Sequence, residues 1–146
     1  MRKKQKSLRS KVFFNASVVL AGLKSPGGGS GKLLYWSKQK KIKGLISEVV
    51  FDEVVRHAGK VGVSKGVLER SVQKIVKIYP APPKELKKYR QIAIDYGDIH
   101  LFTSAEQLGA DYLVSLDKRH VLVLAEKVKK YKIVSPGELI RIIESG

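Results

Sequence analysis

A chain of 146 residues falls in the size range of one domain and is long enough to bury a core. Its 43% hydrophobic and 29% charged residues are ordinary for a globular protein, and no apolar run approaches the roughly 18 residues that a membrane-spanning helix needs. Twenty-nine Lys and Arg against thirteen Asp and Glu leave a formal charge of +16, which points to polyanions, with RNA, DNA and anionic membranes as candidates and a lysine-rich solvated surface as the plain alternative.

Residues 1–11 carry six basic side chains and no apolar periodicity, so they are expected to form a flexible arm before a single domain over residues 12–146. The arm and VFFNASVVLAGL together have the outline of a secretion signal. Asn15 and Ser17 interrupt that apolar run, however, and its first part is needed as a strand, so it is read as part of the domain. The strand ends at Asn15, and a short helix is expected around residues 16–22. KSPGGGSGK is expected to be a mobile loop beside a site, and GKLLYWSKQKK an amphipathic helix. The loop is not a phosphate-cradling P-loop. Counting back from Gly31-Lys32 puts Pro26 in the first glycine slot, and Leu33 stands where a magnesium-binding hydroxyl belongs.

KGLIS at 43–47 reads as a second buried strand, followed by a helix in EVVFDEVVRHAGK with Ser47 as N-cap. SKGVLERSVQKI predicts another helix and VKIYP a short strand. PPKELKKYRQIAIDYG predicts a helix opened by proline and closed by glycine. DIHLFTSAEQLGA is a helix with Asp98 at its mouth, DYLVSLD a strand ending in Asp117, and KRHVLVLAEKVKKY a further helix. KIVSPGELIRIIES adds a last strand and helix. Strands alternating with helices predict an α/β fold, a three-layer α/β/α sandwich around a parallel central sheet, Rossmann-like in organisation. Ligands bind such sheets outside the carboxyl ends of the strands. The polar residues expected there are Asn15, Asp117 and, from helices that begin near the same edge, Glu53 and Asp98.

In that order these residues resemble the PIN-domain family of metal-dependent ribonucleases, which includes the VapC-type toxins. FFNASVV carries the family's opening strand with Asn15 in the slot of its first aspartate and Ser17 in a slot often Asn or Ser. SEVVFDEVVRH supplies the following glutamate as Glu53. GDIHLFTSAEQLGADYLVSLD supplies Asp98 and, after a strand and a Ser/Thr-x-Asp turn, Asp117; this is the most specific segment. The resemblance implies a nuclease using Mg²⁺ or Mn²⁺, with Asp98 and Asp117 binding metal directly or through water and Glu53 orienting water. It also implies RNA as substrate, an antitoxin protein as a partner, and a homodimer for which Tyr35, Trp36 and Phe51 are apolar candidates unless they belong to the core. A membrane partner is not expected. Carboxylates suit that chemistry because hard cations take oxygen ligands and leave positions for water and phosphate.

Each residue has a plainer role beside this one. Asp98 would serve as an N-cap, with Asp95 as its rival for the third acid; Glu53 as a solvated helix residue, like Glu48 and Asp52; and Asp117 as a turn aspartate. Ser115 orients the site or is a strand serine. His100 is a base, a ligand or a structural histidine. Asn15 brings a carbonyl oxygen but no charge, so a cage of three acids replaces one of four, and metal binding is expected to weaken. A natural loss of activity, an engineered inactive form, and catalysis at higher metal concentration all fit that amide. The second functional class is a non-catalytic PIN-like module binding RNA or a protein. A nucleotide-binding α/β domain is the third, and it lacks the phosphate loop and the specificity acid it would need. Without cysteine, disulfides and thiolate metal sites are excluded and a reducing cytoplasm fits.

Overall fold

The computed structural model describes residues 9–146. Most of the expected basic arm lies outside the described residues, while Lys11, assigned to it from the sequence, already pairs in the sheet. The strands are β1 (Lys11–Phe14), β2 (Lys43–Ser47), β3 (Lys77–Tyr79), β4 (Tyr112–Val114) and β5 (Lys132–Val134), all parallel in the order β3-β2-β1-β4-β5. Between and after them come α1 (Ala16–Lys24), α2 (Gly29–Lys38), α3 (Glu48–Arg56), α4 (Ala58–Val61), α5 (Lys65–Ile75), α6 (Lys87–Ile92), α7 (Ile99–Gln107) and α8 (Pro136–Ser145). The three-layer α/β/α architecture read from the sequence is borne out. No helix among the described residues is long and apolar enough to cross a membrane.

The central strand is apolar because helices cover both faces of a parallel sheet. Val12, Phe13 and Phe14 are fully buried and pack with Leu45, Ile46, Leu113 and Val114 of the flanking strands. Capping follows the sequence signals. Ser47 accepts a hydrogen bond from Val50 N, and Ser135 forms a reciprocal capping box with Glu138.

Three local expectations change, and one open alternative is resolved. The glycine-rich segment is not a long mobile loop, for α2 begins inside it at Gly29. A side chain at Gly31 would run into the Pro26 carbonyl, and one at Gly22 would meet Leu34, so these glycines allow close packing of backbone against its neighbours. Pro82 and Pro83 do not open a helix, which starts only at Lys87. The helix expected after Asp117 is a 3₁₀ run, Leu122–Lys127. Its apolar residues Val121, Leu124 and Val128 are buried as the pattern required, but a three-or-four-residue spacing does not separate 3₁₀ from α. Finally, Trp36 is only 5% exposed and lies beneath Lys32 and Lys41, so it belongs to the core; Phe51 is half-buried and Tyr35 is 57% exposed.

The glycine packing makes a prediction. Gly31→Ala should destabilise the fold by about 1–3 kcal/mol through overpacking against backbone that cannot move aside. Gly27→Ala, with nothing near its added methyl, should stay within about 0.5 kcal/mol. Urea denaturation of the two variants beside the parent chain checks both.

Candidate active site

The strand order reverses between β1 and β4, and a crevice opens at the carboxyl ends of strands at such a point. Phe14 pairs with Val114, and Asn15 N carries the pairing one step further by donating to Val114 O at 3.0 Å. The next side chains meet as well. Asn15 Nδ2 donates to Ser115 Oγ at 2.8 Å, and Asp117 N donates to the same oxygen at 3.0 Å. Ser115 is therefore a fully buried linker between the two strand ends rather than a plain strand serine. In this arrangement its hydroxyl takes the amide nitrogen and leaves Asn15 Oδ1 without a protein partner among the described residues. Ser17 ties the same corner from α1, its Oγ accepting from Leu116 N at 3.4 Å.

All four sequence candidates, Asn15, Glu53, Asp98 and Asp117, line one cleft of about 490 Å³, together with Asp95 and His100. Asp98 opens α7 without capping it, and its Oδ2 is buried with no hydrogen-bond partner. Burial, reinforced by repulsion from Asp95, Asp117 and Glu53 and partly offset by His120, pushes its carboxyl up to about 6. Asp95 takes the local role instead, accepting from Gly97 N at 2.8 Å, and is exposed. The rivalry between the two acids thus divides by environment, one a solvated turn residue and the other a desolvated carboxylate with an idle oxygen.

Asp117 does serve its turn. Its Oδ1 accepts from Arg119 N and His120 N, at 3.1 and 2.9 Å, and its Oδ2 lies 3.3 Å from His120 Nδ1. His100 is held below its ordinary value by burial, against the raising influence of Glu53 and Glu85, and is therefore a neutral imidazole at neutral pH. Its Nδ1 is buried without a partner. The sequence reading passed over three residues here. His57 and Lys60 line the cleft. His57 ends α3 with Nδ1 2.8 Å from Glu53 O. His120 was legible as the histidine three residues after the turn aspartate.

Among the described residues, no three acids or histidines converge closely enough to enclose an ion by themselves. A hard divalent cation nevertheless fits the donors. Mg²⁺ keeps several waters and takes only one or two carboxylates directly, so acids spaced along a roomy cleft suit it better than a closed cage would. The orphaned Oδ2 of Asp98, desolvated beside three other acids, is the atom such a cation would satisfy. Asp98, Asp117 and Glu53, which line this cleft, are the residues that would hold such a cation, with Asn15 Oδ1 as a neutral oxygen donor.

Comparison with known proteins agrees with this fold. A sequence model of the family described as PIN domain matches residues 11–119. A chain in the crystal structure of VapBC2 from Rickettsia felis, bound to a DNA fragment from their promoter, superposes with a TM-score of 0.61 at 12% identity, covering 86% of this chain and 98% of that one. No curated protein sequence matches this chain.

The raised carboxyl has a stability consequence. A carboxyl near 3.8 when unfolded and about 6 when folded binds more protons in the native state between those values. Its contribution is fully present below the unfolded value and is lost as pH rises to about 6. In chelator-treated protein, Asp98→Asn should therefore be more stable than the parent at pH 7, and the difference should vanish near pH 4. Urea denaturation at both pH values measures it, and a variant no more stable at pH 7 would contradict the assignment.

Proposed function

The chain belongs to the PIN-domain family, and on that premise we propose that it is a divalent-metal-dependent ribonuclease scaffold whose turnover is weakened by Asn15. The observation that carries this reading is the desolvated, unpartnered Asp98 carboxylate sharing one cleft with Glu53, Asp117 and the Asn15 amide at the switch point of the sheet. Mg²⁺ or Mn²⁺ bound there supplies positive charge to the scissile phosphate and makes a water acidic enough to attack.

The chain's own residues supply position and charge. Asp98 and Asp117 hold the cation directly or through water, and Glu53, from the flank of α3, accepts a hydrogen bond from the attacking water and fixes its direction. His120 holds Asp117 in place. Ser115 turns the amide of Asn15 so that its oxygen, not its nitrogen, is the free atom. Lys60, on the same cleft, is a cation for the substrate backbone. An amide oxygen in place of a carboxylate removes one negative charge from the site, which weakens cation affinity without closing the cleft.

The likeness to a chain of a VapBC complex supports a toxin–antitoxin setting, with an antitoxin protein as partner. A second reading, a PIN module that binds RNA or protein without cutting, is favoured by the missing charge at Asn15 and shares the same fold.

Cleavage of labelled RNA in Mn²⁺ or Mg²⁺ separates the two. Asn15→Asp should cut at least ten-fold faster than the parent chain, since the Ser115 hydroxyl can turn to donate to the new carboxylate and the corner keeps its geometry. Adding Asp117→Asn to that variant should abolish the gain. If neither the parent nor Asn15→Asp cleaves, the nuclease reading fails and the binding module stands.

A further inference from the structure

Lysines gather at the end of the sheet opposite the acidic cleft. Four of the five strands begin with lysine: Lys11, Lys43, Lys77 and Lys132. Lys11 and Lys43 are register partners on adjacent parallel strands, so their Cα atoms lie about 5 Å apart. Like charges so placed repel unless an acid stands between them. Asp111, at the same edge, accepts from Lys11 N through Oδ2 at 2.8 Å. Among the described residues, none of these four lysines takes part in a salt bridge.

Beside this row lies a recess of about 330 Å³ between the start of β2, the end of α2 and the end of α5. Arg9, Lys38, Lys40, Lys43, Lys74 and Lys77 line it, and no acid does. Lys40 holds the rim in a left-handed conformation at φ 66°, where its carbonyl accepts from Arg9 Nη1 at 3.4 Å. Backbone carbonyl and guanidinium are thereby committed to shaping the wall, and the lysine heads remain for a ligand.

We propose that this amino edge is a second nucleic-acid site, a groove that grips the phosphate backbone of single-stranded RNA apart from the acidic cleft. A recess of about 330 Å³ lined by flexible lysines admits a short length of single strand that can bend into it, whereas a stiff duplex is too broad to enter. The groove reads charge rather than sequence, because lysine offers a mobile point charge and no planar fork for a base edge. It stands independently of the catalytic reading, since binding alone reports it.

The test is fluorescence anisotropy of a labelled uridine 20-mer with the full chain across a salt series, without divalent metal. The groove variant changes Lys38, Lys43, Lys74 and Lys77 to Gln. A control variant, with the same net charge, changes the exposed Lys24, Lys65, Lys84 and Lys127 to Gln. The groove variant should bind ten-fold or more weakly at about 0.1 M salt, and its salt slope should fall by about 3, the counterion release of four single-strand phosphates. The control should change less than about three-fold, and both should keep the parent's thermal midpoint within the scatter of surface substitutions. Equal weakening of the two variants would overturn the site in favour of diffuse charge. Tighter binding of phosphatidylserine vesicles or polyglutamate than of RNA would overturn the ligand.

Discussion

The register between β1 and β4 is the constraint from which the rest of the site follows. With Phe14 opposite Val114, the next residues on the two chains, Asn15 and Ser115, must emerge side by side at the carboxyl end of the sheet. Neither can follow its strand into the core, because both are polar and the core there is filled by phenylalanine, valine and leucine. They satisfy each other instead, and the Asp117 amide joins them. A one-residue slip would reverse the faces of β1 and bury Asn15 without a partner, so the apolar pattern that fixes the register also fixes the corner of the site.

Electrostatics then divides the molecule along the strand direction. In a parallel sheet every strand enters from one end and leaves at the other, so residues at strand beginnings gather at one edge and residues at strand ends at the opposite one. Lysines occupy the first set of positions and the site's acids the second. Helices following the strands also turn their N-termini toward the carboxyl edge, where partial positive charge favours carboxylates by less than about 1 kcal/mol each. That is too little to keep Asp98 at its ordinary value. Desolvation and three neighbouring acids prevail, and the carboxyl rises to about 6. A cleft that makes its own acid costly to ionise is one that gains from a bound cation.

Much of this was legible in the sequence because the signals are local. VFF, KGLIS and the alternation of strand and helix are periodic patterns read over a few residues, and Ser47 announces its helix by hydroxyl position. The four candidate positions were legible through their order, with Asn15 and Asp117 after strands and Glu53 and Asp98 on helices near the same edge. What the sequence did not disclose depends on contacts between distant segments. Gly31 looks like loop flexibility until Pro26 is seen to occupy the space of its missing side chain. Trp36 reads equally as core or as a dimer surface until the lysines above it and the core below are placed. Residues 121–128 keep a helical spacing of apolar side chains, yet Leu124 N turns back only three residues to the carbonyl of Val121, and the chain tightens into 3₁₀. His57, Lys60 and the lysine row become groups only when parallel strands bring them together.

Asp95, Asp98 and Asp117 show that a turn role and a site role are separate questions. Asp95 and Asp117 both hold backbone amides, which by itself would make either an ordinary turn residue. The difference lies in what the remaining oxygen meets. Asp117 holds its turn with Oδ1 and turns Oδ2 toward the His120 imidazole, 3.3 Å away. Asp98 holds no amide at all and keeps a buried oxygen idle. Removing such a carboxylate forfeits no local hydrogen bond, whereas removing Asp117 loosens the turn that carries His120. Asn15 extends the same logic. Its nitrogen is spent on Ser115 and its oxygen is left over, so the amide preserves the shape of an acidic corner while withholding the charge. Fold and cleft therefore tolerate asparagine at this position, and the difference it makes is confined to whatever positive charge the cleft is asked to hold.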